Sequence, residues 1–443
     1  MSDMAKPAAP ASAQNTVPAL LQTLGIWIVF AAILVFLPFV FSANAAITTM
    51  CLMGILVVFA LSYNMLLGQT GMLSFGHAVY YGLAAFVTAN AIKYYLAGGN
   101  VSLPLIVIPV IGGFAGLFFG IVFGSFSTKR GGTAFAMISL GLAELVSSSS
   151  LVLRSFFGGE EGVSFDRTKL APLFGYTFGP QIQVYYLIAF WCFVCVALMY
   201  AFTRTPLGRM CNAVRENPER VEFVGYNPQF VRFLAFSIAG FFAGVAGSLA
   251  AINIEIAQAS FMGAAQSGLV LLAAYIGGVG FFVGPILGAI LIQLLSVKLS
   301  DFTEIWQLYF GILFITVILF APGGLAGLLM MHAPLWRGPM GTRFARMGRL
   351  LGSYLIALVP ALVMVIGASL LIELIHHVAQ KSAEGPAMHF LRLRWLTINS
   401  HSLLIWAGAV VALVGGFLAF RMTWPIVRKA WNDAAADAQR SVS

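Results

Sequence analysis

Residues 277–285 read GGVGFFVGP, and how this stretch is taken fixes the number of times the chain crosses a membrane. It lies inside an apolar run, 265–298. Pro285 has no backbone N–H, and Gly277, Gly278, Gly280 and Gly284 loosen the backbone, so a straight helix does not continue through it. Broken here, the run supplies two segments; unbroken, it supplies one. The rest of the chain decides between these readings.

The chain has 443 residues, 60% hydrophobic and 9% charged, with a mean hydropathy of +0.93. Soluble domains carry about 25% charged residues, so the composition is that of a polytopic membrane protein. A bilayer span needs about 20 apolar residues. Runs of that kind fall at 25–42, 46–67, 72–92, 103–126, 132–153, 183–203, 230–253, 306–329, 353–375 and 402–420, beside the interrupted run. Ala43-Asn44-Ala45 after the first run has the small-residue look of a signal-peptidase site. Its leader carries a single lysine, however, and the chain continues into further spans, so an uncleaved first helix is expected.

The net charge of +9 is carried mainly in short loops, where it sets topology and does not point to nucleic acid. Thr128-Lys129-Arg130, the loop 204–228 and the cluster Arg337, Arg343, Arg346 and Arg349 are basic and expected to be cytoplasmic. Loop 154–182 mixes Glu160, Glu161, Asp166, Arg167 and Lys169 and is expected on the other side. Parity then selects the broken reading of 265–298, because only two segments put all three basic loops and both termini inside. The expected fold is all-α, with about ten core transmembrane segments, some broken at glycines, and two more at the C-terminal end.

Backbone groups freed by a break at membrane depth must be met by protein or by a water-lined cavity. A second stretch, GQTGMLSFGH (68–77), resembles the first in its G-x-x-G and large apolar residues. Paired interruptions of this kind mark a translocation pathway or let helices pack closely; the residues alone leave both open.

The loop 204–228, RTPLGRMCNAVRENPERVEFVGYNP, holds Arg204, Arg209, Arg215 and Arg220 with Glu216, Glu219 and Glu222. Thr205-Pro206 is a helix start, and Asn217-Pro218-Glu219 repeats that signal. Gly225 is placed for a left-handed C-cap. The spacing predicts two short helices with an elbow, the second with Val221 and Val224 on one face beside Arg220. This ridge suits docking into a partner's groove; a solvated, topology-setting loop is the other reading.

The four cysteines form no disulfide framework: Cys51, Cys192 and Cys195 lie in apolar runs and Cys211 in the basic loop, all read as inert thiols. His376, His377, His389 and His401 have no carboxylate or cysteine to complete a metal shell, and no metal site is expected. There is no Ser-His-Asp or paired-carboxylate constellation. The phosphate-cradling pattern G-x-x-x-x-G-K-[ST] is also missing; Lys381 precedes Ser382 without the glycines. The expectation is a non-enzyme that binds no cofactor of its own.

Five stretches in order carry a resemblance to a known family: LSYNMLLGQTGMLSFGHAVYYGLAAF (61–86), RGGTAFAMISLGLAEL (130–145), TPLGRMCNAVRENPERVEFVGYNPQFVRFLAF (205–236), GGVGFFVGPILGAILIQLL (277–295) and LFAPGGLAGLL (319–329). They resemble the M-type permease subunit of branched-chain amino acid ABC transporters, within the wider importer family for hydrophobic amino acids, urea and short amides. The similarity covers about 45–329.

The resemblance implies that 205–228 is the ATPase-coupling loop. Gly208 and Gly225 would serve turn geometry. Arg209, Arg215, Glu216, Glu219 and Arg220 would form the docking rim, and Asn217 would act as a cap. It further implies that Gly68, Gln69, Ser74, Gly76 and His77, with Gly277, Gly278 and Gly280, shape a path between this chain and a second permease. Glu144, within the 132–153 span, must face a cavity, a partner or protonation. Whether His77 or Glu144 meets the solute stays open.

The implied partners are a second homologous permease, two cytoplasmic ATP-binding subunits that use the ATP, a periplasmic solute-binding protein and membrane lipid, but no nucleic acid. The implied place is a bacterial inner membrane with both termini cytoplasmic. Branched-chain amino acids are the first solute choice. Urea, short amides or another small amino or organic acid are alternatives, and a stand-alone secondary transporter is the alternative class. The expected organisation is a leader (1–24), the permease domain (25–329), a basic linker (330–352), a two-segment extension (353–420) whose role is open, and a tail (421–443).

Overall fold

The computed structural model describes residues 16–96, 103–170, 172, 175–333, 340–380, 387–389 and 397–440. The leader through residue 15, Arg337 and the Lys381–Ser382 pair lie outside these. The described residues are almost entirely helical, as the apolar runs require. Eight helices are long and apolar enough to cross a membrane. A further pair, α13 (Trp306–Phe320) and α14 (Gly324–His332), is apolar and long enough only when taken together, and is bent by 45°, as in a broken span or a re-entrant loop.

The chain divides into two compact units, 1–274 with 285–293, and 275–284 with 294–443. At the centre of the first is α10 (Pro228–Ile254), which buries most of its length. It pairs with α4 (Ile108–Ser127) through small residues four apart, Gly112, Gly116 and Gly120 against Gly240, Gly244 and Ser248. A Cβ at Gly116 would fall on the Gly240 carbonyl, and one at Gly244 on that of Gly112. In lipid, apolar side chains gain little by meeting one another, so close backbone approach at small residues is what joins two helices. Thr88 Oγ1 donates to Ser248 Oγ at 2.9 Å, which ties α3 (Ala78–Asn90) to the same seam.

Around this centre lie α2 (Asn44–Thr70), α7 (Gln181–Arg204) and, outermost, α1 (Thr16–Val40). Trp191 Nε1 donates to the Ile106 carbonyl and the Tyr185 hydroxyl to that of Leu34, at 2.8 and 2.7 Å. Each amphipathic side chain thereby meets its polar need within hydrocarbon.

At the end of α10 the chain turns through Glu255, whose φ of +59° is unusual for a side-chain-bearing residue. The carbonyls left over at that helix end are taken by buried Arg167. Its Nη1 donates to Ile252 and Asn253, both at 3.1 Å, its Nε to Phe178 at 2.8 Å and its Nη2 to Gly179 at 3.2 Å. Glu255 lies 3.5 Å from Arg167 Nε. A cation at a helix C-terminus also complements the dipole. A two-residue antiparallel pairing of Val163–Ser164 with Ile256–Ala257 completes the junction.

The 277–285 stretch breaks as expected: α11 (Ala264–Gly277) ends there and α12 (Gly284–Phe302) begins. Gly278 lies against Gly323, and a Cβ on Gly324 would strike the Gly278 backbone. Two long helices, α15 (Met340–Gln380) and α16 (Leu403–Arg440), pack antiparallel with Gly367 against Leu413 and Gly416 against Met364. Glu373 of α15 accepts from Thr303 Oγ1 at 2.6 Å, fastening the hairpin to the turn between α12 and α13.

Three expectations need correction. The run 72–92 is not one continuous span. Residues 71–77 are irregular, and α3 has only 13 residues before a six-residue π-helical turn, Ala91–Leu96. The run 306–329 bends at Ala321-Pro322-Gly323. The last two helices extend well beyond the runs 353–375 and 402–420, because outside the apolar stretch they are held by polar pairs such as Arg349–Asp437 at 2.8 Å.

Candidate functional site: a helix break and a helical hairpin

Helix α2 runs on until Gly71, which takes φ +71°. There the Gly71 N–H donates to Leu67 and the Met72 N–H to Leu66, the pair of bonds that ends a helix in a left-handed cap. Residues 72–77 then cross to α3 without regular structure, and three serines fasten this crossing. Ser139 of α5 (Gly132–Val152) accepts the Phe75 N–H at 3.0 Å, and Ser267 of α11 accepts the Ala78 N–H at 3.1 Å. Ser62 of α2 lies 2.9 Å from His77 Nε2. Gly76 has no room for a Cβ, which would fall on the Ser139 carbonyl.

His77 is fully buried, its ring stacked on Phe59 at 5.5 Å and 9°. Ser62 Oγ also donates to the Phe59 carbonyl at 2.7 Å. Its oxygen is then the acceptor toward His77, which assigns the proton to Nε2. Among the described residues, His77 Nδ1, Asn64 Oδ1, Gln69 Oε1 and Ser74 Oγ are buried with no hydrogen-bond partner. Buried polar atoms are nearly always paired, so four such atoms within fourteen residues set this segment apart from the packed centre. Gly68, Gln69, Ser74, Gly76 and His77 are thus brought together.

Glu144 is placed differently. The buried residues of α5 are Phe135, Ala136, Ser139, Ala143, Val146 and Ser150, while Met137, Gly141, Glu144 and Ser148 are exposed. At 100° per residue these two sets lie on opposite sides of the helix. Gly277, Gly278 and Gly280 belong to the second unit. There Gly278 serves backbone packing against Gly323, while a Cβ on Gly280 would meet nothing within 4 Å.

On the first side of α2's break, a cavity of about 220 Å³ is lined by Leu52, Ile55, Phe59, Tyr81, Leu269 and Gln266, among others. Its wall is hydrocarbon apart from a few polar tips. Phe59 forms part of the wall and also stacks on His77, so the cavity and the irregular crossing share a side chain.

The loop 204–228 folds into two short helices, α8 (Pro206–Glu216) and α9 (Pro218–Phe223). Thr205 Oγ1 accepts the Gly208 N–H at 3.2 Å, and Asn217 Oδ1 accepts that of Arg220 at 2.9 Å. A Cβ at Gly208 would strike the Phe202 carbonyl, and Gly225 has φ +90°. The inner face of the hairpin buries Cys211, Val214 and Val221 against Val231 and Ala235 of α10. Arg209, Glu216, Glu219 and Arg220 are exposed.

Two details differ from the sequence reading. Val221 and Val224 do not form a common ridge: Val221 is buried, and Val224 is 69% exposed beside Phe223 at 90%. The six-residue α9 turns Val221 inward, which leaves Phe223, unnoticed in the sequence, as the outward apolar group. Arg215 does not merely edge the hairpin. Its Nη1 donates to the carbonyl of Gly68.

Among the described residues, no group of three or more His, Cys, Asp or Glu side chains is arranged to hold a metal ion. His389 contributes only its backbone to this description.

The family model described as the permease component of a branched-chain amino acid transport system matches residues 45–322. A high-affinity branched-chain amino acid transport system permease protein, LivM of Escherichia coli, is 27% identical over 292 residues, 61% of this chain and 67% of that protein. Its Salmonella typhimurium counterpart is 27% identical over 310 residues, 65% and 71% of the two chains. BraD of Pseudomonas aeruginosa, named likewise, is 25% identical over 284 residues, 60% and 90%. No solved structure matches. The helices α15 and α16 lie beyond the family match.

Proposed function

The chain belongs to the family of branched-chain amino acid transport system permease components, and from that premise we propose that it is one of two permeases in an ATP-driven importer. It forms the translocation path with a second, homologous permease. Two ATP-binding subunits on the cytoplasmic side seat the α8–α9 hairpin, and a periplasmic binding protein delivers the solute. The hairpin carries this reading. It is a rigid element backed by a buried apolar face, yet it turns Arg209, Glu216, Glu219, Arg220 and Phe223 outward. A loop needed only for topology has no use for a packed inner face and two capped helices.

Within this reading the path includes the crossing at 68–77, where buried polar atoms have no partner among the described residues. Alternation of access is a rearrangement of packed helices and involves no covalent chemistry in this chain. For the solute, the hydrocarbon cavity at Leu52, Ile55 and Leu269 favours an aliphatic amino acid. Urea has no apolar group to fill it, and a short amide offers only a small alkyl group.

The test is a gentle pull-down of the tagged chain from its native membrane with mass spectrometry of what accompanies it. Two ATP-binding chains and a second permease support the reading. A chain recovered alone, which then moves solute unaided, refutes it and favours a secondary transporter.

A further inference from the structure

One side chain of the hairpin, Arg215, reaches the helix break. Helix α2 ends at Thr70, so the carbonyls of its last turn lack helical donors. Gly71 and Met72 take those of Leu67 and Leu66. The next one along, that of Gly68, receives Arg215 Nη1 from α8. The same arginine crosses directly over the left-handed Gly71, where an added Cβ would lie 3.0 Å from Arg215 Cγ. Arg215 thus acts as a detached C-cap, a cation at the negative end of the α2 dipole, supplied by a different element.

We propose that Arg215 is the positioning residue that passes displacement of the α8–α9 hairpin to the 68–77 crossing. The proposal rests on the importer reading above. Arg215 sits at the last turn of α8, one residue before the exposed Glu216, so motion imposed on the hairpin's outer rim reaches Arg215 through a single helical turn. Between Met72, whose N–H still bonds to Leu66, and Gly76 the chain lacks helical bonds of its own to absorb that motion. Serine contacts at Phe75, Ala78 and His77, from Ser139, Ser267 and Ser62, tie it to the surrounding helices. Arg215 is itself exposed, and neutralising it removes this bond while leaving Arg209, Glu216, Glu219 and Arg220 of the rim in place.

The experiment uses the full importer reconstituted in proteoliposomes, with the number of leucine molecules taken up per ATP hydrolysed as the readout. Arg215→Gln should still co-purify with the ATP-binding subunits and hydrolyse ATP, but the uptake ratio should fall about tenfold, the size of an ordinary coupling energy. Arg215→Lys, which keeps a cationic donor, should recover part of the ratio. A loss of thermal stability alone would lower both activities together and leave the ratio unchanged.

A wild-type ratio in Arg215→Gln overturns the proposal. So does a folded variant that no longer binds the ATP-binding subunits, which would make Arg215 a docking residue. If Arg215→Gln does not accumulate, Arg215→Lys decides: a reduced ratio supports the proposal and an unchanged one refutes it. Failure of the importer reading itself would appear earlier, as no ATP-driven uptake by the wild-type complex.

Discussion

Asn217 Oδ1 accepts the backbone N–H of Arg220 at 2.9 Å, and this single bond starts α9 at an angle to α8. Asn217 is both the last residue after α8 and the cap of α9, with its backbone extended at φ −157°. The elbow therefore has one residue as its corner. Replacing Asn217 by Ala should cost about 1 kcal/mol and lower ATP-driven uptake, whereas Asn217→Asp, which keeps the acceptor, should be nearly silent. Uptake assays on the two variants side by side check this.

The outer rim gives a second expectation. Glu219 and Arg220 are exposed, so the double change to Ala should leave the permease folded. In the assembled importer it should separate ATP hydrolysis from uptake. If both activities persist unchanged, the rim does not meet the ATP-binding subunits.

The α4–α10 seam predicts a different kind of failure. Gly116 faces the Gly240 carbonyl with no room for a side chain. Gly116→Leu must push the two helices apart and strip contacts from the centre of the unit, so monodisperse protein should not be recovered. Gly141→Leu, on a side of α5 with nothing within 4 Å, should be recovered in full unless a second chain covers it. Size-exclusion profiles in detergent distinguish the outcomes.

Arg167 closes the end of α10. With Arg167→Ala, four carbonyls lose a charged donor, and the change should cost about 3 kcal/mol. The effect should be local, because the affected groups all lie between 163 and 183 or at the α10 terminus. Faster proteolysis of loop 154–180, with α4 and α10 still protected, is the expected pattern.

Burial pushes the Cys211 thiol up from 9.0 to about 12. Between those values an unfolded chain releases a proton that the folded hairpin retains. The thiol's contribution to stability is therefore intact below pH 9 and declines as pH rises through that window. Below pH 9 the thiol should resist maleimide labelling until the protein is denatured.

Much of this fold was legible because lipid permits few solutions. Apolar runs marked the spans, and Gly277 to Pro285 marked a break that charge parity required. The caps at Thr205, Asn217 and Gly225 were equally readable, since each depends on local chemistry. The crossing at 71–77 was harder to see, because Met72, Leu73 and Phe75 keep the hydropathy high where the helix has already ended. The inward turn of Val221 depends on where α10 stands, which no local pattern states. The bond from Arg215 to Gly68 joins residues 147 apart in sequence and needs the end of α2 to be placed first. Glu144 was recognised as costly to bury, but only the packing of α5 puts it on the side facing away from the unit.

The measurement that bears most directly on the account is uptake of labelled leucine into proteoliposomes holding the chain alone or together with its co-purified permease and ATP-binding subunits, with the solute-binding protein supplied outside. Uptake that requires all the subunits and internal ATP, and that urea does not compete, is the predicted result. Uptake by the chain alone, driven by an ion gradient and indifferent to ATP, would contradict it.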